Sequence, residues 1–125
     1  MKTTHDMIMA LNFDISNLSY QIQENQEKIN LLQKCYDQLS NEQQDFIANK
    51  RLINHPGLDS SVWNGENAER FNGERAEMEQ ESSRINNLAE QQLEDISSKI
   101  NELESANGSL SNSISSKRFQ LSDMK

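Results

Sequence analysis

One cysteine, one proline, four glycines and two histidines in 125 residues exclude several chemistries at once. A lone thiol, Cys35, forms no intrachain disulfide and gives no sign of an oxidising compartment. Free cysteines usually pack as small hydrophobes, and Cys35 next to Tyr36 is expected to do so. His5 and His55 stand far apart in the chain, with no Cys or carboxylate at metal-ligand spacing, so no metal or cofactor is expected. No glycine-rich loop follows a strand, so no phosphate cradle is expected. Basic charge is also short: 12 Lys and Arg stand against 20 Asp and Glu, for a net charge of −8. That balance argues against nucleic-acid binding and against docking on an anionic membrane. No hydrophobic run approaches the roughly 18 residues that cross a bilayer, so no membrane insertion is expected. The N-terminus MKTTHDMIMALNFD lacks a cleavable signal pattern.

What the chain has instead is amide and hydroxyl. Asn, Gln and Ser fill 42 positions, and hydrophobic residues make up 34%. This is too little apolar surface for a thick core and too regular for disorder. Such a chain buries a narrow stripe.

The stripe is explicit. Stepping 3, 4, 3, 4 from Ile8 gives Ile8, Leu11, Ile15, Leu18, Ile22, Asn25, Ile29, Leu32, Tyr36, Leu39, Gln43 and Phe46. Ten of these twelve are apolar, the seam of a coiled coil. The pattern predicts one helix over about residues 6–53. A connector follows at about 54–66, NHPGLDSSVWNGE, with Pro56-Gly57 as a stop and Asn64-Gly65 as a second turn signal. Asn64 is placed to cap what comes next. A second stripe begins Ala68, Phe71, Arg75, Met78, Ser82, Ile85, Ala89. It shifts by one residue, a stutter, into Leu93, Ile96, Ile100, Leu103, Asn107, Leu110, Ile114, Lys117 and Leu121. It predicts a helix over about 66–122. Asn107-Gly108 in a serine-rich stretch leaves a break there as the alternative.

The expected fold is therefore all-α: one domain over 1–125, a long antiparallel two-helix hairpin of coiled-coil type. With residues 53 and 67 facing each other across a short connector, paired residue numbers total about 120. Asn25 then lies far from Asn107, and a tail of about 115–125 overhangs. Gly65 would let the chain turn tightly and a neighbour approach, and Gly73, inside the second helix, would mark another close approach. A two-helix hairpin covers each stripe on one side only and wants a partner. It also closes no pocket for Ser-His-Asp or Cys-His chemistry, so no enzyme is expected.

The single tryptophan sits in the connector, in SVWNGENAERF. It either plugs the end of the hairpin or serves as an exposed recognition element. Trp63, Gly65, Ala68 and Phe71 together resemble the WXG (ESAT-like) superfamily of type VII secretion. The long helices and Gln/Asn/Ser-rich surface look closest to the YwqH-like small helical proteins that accompany LXG toxins in Gram-positive bacteria. The resemblance implies an export signal, an aromatic followed four residues later by an acid, which Phe119 and Asp123 match. Tyr20 and Glu24 match it too, but lie mid-helix.

The resemblance further implies a targeting chaperone. It would pair with an LXG-type toxin or another helical secretion substrate, and present it indirectly to the secretion ATPase. The chain would be cytoplasmic before export and secreted with its partner. Two other readings stand beside it: a self-assembling secreted homodimer, and a generic coiled-coil adaptor in which W-x-G is coincidence.

Overall fold

A computed structural model describes residues 3–54 and 65–124. Two long helices, α1 (Thr4–Lys50) and α2 (Glu66–Met124), pack antiparallel as an all-α hairpin, and a 3₁₀ turn, Arg51–Asn54, ends the first. The start of α1 is set by a reciprocal cap. The Asp6 backbone N–H donates to Thr3 Oγ1 at 3.1 Å, and the Thr3 N–H donates to Asp6 Oδ2 at 3.3 Å. Two of the donors that a helix N-terminus leaves unpaired are thereby satisfied, two residues earlier than the hydrophobic pattern alone suggests. Helix α2 runs unbroken through Asn107-Gly108. The apolar stripe continues on both sides of that pair, and burial of the stripe outweighs the roughly 1 kcal/mol that a mid-helix glycine costs.

All twelve stripe positions of α1 are buried or half-buried. Cys35 is the correction: it is exposed, one position off the seam that Tyr36 occupies. In α2 the stutter does not occur. The covered positions run 75, 79, 82, 86, 89, 93, 96, 100, 103, 107, 110, 114, 117, 121, 124, an uninterrupted heptad. The strongly apolar run from Leu93 to Leu121 fixes the phase of a rigid helix, and that phase carries back toward its N-terminus. Glu79 and Asn86 therefore enter the seam, while Met78 (54% exposed) and Ile85 (49% exposed), expected there, stand just outside it with Phe71.

The register also differs from expectation. Asn25 Nδ2 donates to Asn107 Oδ1 at 3.0 Å, and Asn107 Nδ2 reaches the Ile22 carbonyl at 3.5 Å. Lys117 Nζ lies 3.4 Å from Asp14 Oδ2, and Lys50 Nζ donates to Ser83 Oγ at 3.3 Å. Paired numbers total about 132 rather than 120, a slide of roughly three helical turns, or about 18 Å. The stripe asparagines thus satisfy each other. No overhang begins at 115: Leu121 is buried and α2 stays helical to Met124. The short-connector assumption failed because turn residues say where a chain can reverse. They do not say which layers of two helices meet.

The chain forms two compact units, residues 1–34 with 96–125, and residues 35–95. In the first, Ile29, Ile100 and Leu103 form an apolar core supported by Leu32 and Ile96. In the second the seam mixes apolar residues such as Leu93 with a polar layer. Gln43 and Ser82 are buried, and Gln43 Nε2 donates to Asn86 Oδ1 at 3.1 Å and to Glu90 Oε1 at 2.6 Å. The two units differ equally in charge. Residues 35–95 hold 13 acids and 5 bases, and the remaining residues 7 of each, so the whole net charge of −8 belongs to the second unit.

Candidate interaction surface

Lettering the α2 heptad so that 79, 86 and 93 are a and 75, 82 and 89 are d puts Phe71, Met78 and Ile85 at successive g positions. These three form one exposed row along the edge of the seam, with Leu88 (59% exposed) beside it. Against Ile85 and Ala89 stand Leu39, Glu42, Gln43 and Phe46 of α1, and the six side chains with Asn86 line a groove of about 200 Å³. Ala89 and Asn86 fill less of their seam layers than leucine or isoleucine would, which leaves room for the groove. Its lining is mainly apolar. At the N-terminal end of the row the Arg75 guanidinium lies over the Phe71 ring at 4.7 Å, a cation–π contact.

The turn motif is only partly in view. Trp63 and Asn64, like Pro56 and Gly57, lie outside the described residues. Gly65 has φ +97°, and its carbonyl accepts the first intrahelical bond of α2, from the Glu69 N–H at 3.1 Å, so Gly65 occupies the N-cap position. Among the described residues, neither Gly65 nor Gly73 has a neighbour that a Cβ would meet within 4 Å, so the expected close approaches are not seen. Gly65 serves the left-handed backbone instead. Ala68 is buried and Phe71 is 42% exposed.

Phe119 (69% exposed) and Asp123 share the outward face of α2, adjacent across one turn. They are accessible because they face away from the seam, since no overhang frees them. The same holds for Tyr20 (61% exposed) on α1, so exposure does not separate the two aromatic–acid pairs. Tyr20 is the more engaged of the two aromatics. A hydrogen bond to the Glu24 carboxylate and the negative charge beside it hold the Tyr20 phenol above its ordinary pKa, with smaller contributions from burial and Glu27. Sequence reasoning missed Met9 (58%), Phe13 (65%) and Leu31 (63%), which fall with Tyr20 on a single outward arc of α1. Their spacing of 4, 7 and 11 residues was the available signal, hidden beneath the stronger seam.

Among the described residues, no group of three or more His, Cys, Asp or Glu is arranged to hold a metal ion. Among the same described residues, no helix is long and apolar enough to cross a membrane. The YwqH-like family model matches residues 7–125. Searches of curated proteins and of solved structures found no match.

Proposed function

From the premise that the chain belongs to the YwqH-like family, we propose that it is a non-enzymatic accessory protein of type VII secretion. It acts as a targeting chaperone that pairs with the helical N-terminal domain of an LXG toxin and helps present that toxin for export. The observation that carries this reading is the apolar edge of the second unit. Phe71, Met78, Ile85 and Leu88 stay between 42% and 59% exposed although the same helix has a buried seam one position away. An exposed apolar row beside a partly polar seam is a surface that a second helical protein can complete.

In this reading Phe119, Asp123 and the W-x-G turn form the signal presented to the secretion ATPase. The chain is cytoplasmic before export and leaves with its partner. Its lack of catalytic motifs fits a role performed by surface alone.

The test is co-expression with an LXG toxin, measuring complex mass and toxin in the culture medium. A complex of fixed stoichiometry is expected, together with lost export and retained binding in Trp63→Ala and Phe119→Ala. A chain that stays a monomer beside the toxin, and whose removal leaves toxin export unchanged, would refute the reading.

A self-assembling homodimer is the second reading. It is favoured by the Met9, Phe13, Tyr20 and Leu31 arc, which lies in the unit whose charges balance and therefore meets no net repulsion from a copy of itself. Sedimentation of the isolated chain separates the two.

A further inference from the structure

The chaperone reading does not say which face holds the client or what chemistry the client must present. We propose that the groove between Leu39–Phe46 of α1 and Ile85–Ala89 of α2, continued along Met78, is the docking face. Its occupant is an amphipathic helix of a second protein, with an apolar stripe bordered by lysine or arginine. This inference rests on the chaperone reading and deepens it.

Three observations select that occupant. The groove is bounded by two antiparallel helices and is lined by Leu39, Phe46, Ile85 and Ala89, the shape and lining that accept the apolar face of a third helix. Its rims are acidic: Glu42 lines the α1 side, with Asp45 next to it at an exposed position. On α2, Glu74 and Glu81 are exposed on the flank just outside the Phe71–Met78–Ile85 row, Glu81 sharing its charge with Arg84 at 2.9 Å, and Leu88 continues that flank. Finally, this unit carries the entire net charge of −8. A second copy of the chain would bring a like-charged unit against it, and phosphate-bearing partners would be repelled in the same way. A helix with basic borders gains on both counts, from apolar burial in the groove and from charge at its rims.

Partial exposure of the row makes the surface open to test, because substitution there leaves the seam intact. The probe is the LXG domain itself, titrated onto the full chain at 0.05 M and 0.5 M NaCl, with helicity of each variant checked by circular dichroism. Met78→Glu with Ile85→Glu is expected to weaken binding by about 100-fold or more, as loss of apolar anchors does. Glu42→Lys with Asp45→Lys and Glu81→Lys is expected to weaken it about tenfold at low salt and much less at 0.5 M, where rim charges are screened. Ile47→Glu, 51% exposed on the opposite edge of the same unit, is expected to change it by less than about threefold.

Unchanged binding in the first variant overturns the groove while leaving the chaperone reading in place. Unchanged salt dependence in the charge-reversal variant overturns the basic-bordered client. If the Met78/Ile85 variant instead abolishes self-association of the isolated chain, a second copy is the occupant and the proposal is wrong. If the wild-type chain does not bind the LXG domain at all, the chaperone reading fails and this proposal with it.

Discussion

Replacing both Asn25 and Asn107 with leucine should make the helix pair more stable and less certain of its register. The two side chains share a 3.0 Å hydrogen bond in a half-buried layer, and Asn107 adds a 3.5 Å contact to the Ile22 carbonyl. Removing both partners forfeits about 1 kcal/mol of net hydrogen bonding. Two half-buried leucines return about 1 kcal/mol each. The double variant should therefore gain about 1 kcal/mol, read from urea denaturation at 222 nm.

The specificity term is larger. Sliding α2 by one heptad would set Asn25 against Ile100 and Asn107 against Leu18, leaving two partly buried amides unpaired at about 1–2 kcal/mol each. That gap of about 2–4 kcal/mol disappears in the double variant, while the a/d pattern matches equally well in both registers.

Disulfide trapping reads the outcome in a Cys35→Ser background, which the exposure of Cys35 permits. Cysteines replacing Leu11 and Leu121 report the native register, and cysteines replacing Leu11 and Ile114 report the shifted one. The native pair alone should oxidise when the asparagines are present, and both pairs should oxidise in their absence. If the Leu11/Ile114 pair never forms and stability falls, the asparagine layer does not set the register, and the connector or the apolar seam does.

Two further predictions follow from local geometry. Gly65→Ala should lower stability by about 1–2 kcal/mol because alanine resists the φ of +97°, whereas Gly73→Ala, in helical backbone with open space at the Cβ, should raise it by about 0.5–1 kcal/mol; thermal melts of the two variants should move in opposite directions. Glu24→Gln removes the charge that disfavours the Tyr20 phenolate, so the phenol should titrate at lower pH than in the wild type, followed by absorbance at 295 nm; an unchanged titration would show that the charge of Glu24 does not hold the phenol up.

The helices themselves were legible without coordinates. A 3–4 spacing sustained from Ile8 to Phe46 admits no other regular structure, and all twelve of its positions are covered. Helix α1 began at Thr4 rather than 6 because Thr3 and Asp6 form a capping box, a signal present in the sequence but weaker than the stripe. The second stripe was misread between Phe71 and Ile85 for an instructive reason. Positions 75, 82 and 89 belong to the seam in either reading, and the choice lies between 71/78/85 (Phe, Met, Ile) and 72/79/86 (Asn, Glu, Asn) as the phase that completes it; composition alone prefers the apolar set. Only the partner helix, packed on the phase set by Leu93 to Leu121, decided that Glu79 and Asn86 go inside and Met78 and Ile85 stay out.

The candidate docking edge is the direct result of that choice, which is why sequence periodicity did not reveal it as a surface. Register followed the same division. The sequence contained one asparagine in each long stripe, but their pairing is a statement about two helices at once. A turn signal constrains only where the chain reverses, whereas a pair of amides 82 positions apart finds its minimum when the layers that carry them meet. Periodicity and caps determined that there are two long helices and which residues can bury. Packing between them decided which of those residues did, which amides met, and which apolar edge stayed exposed.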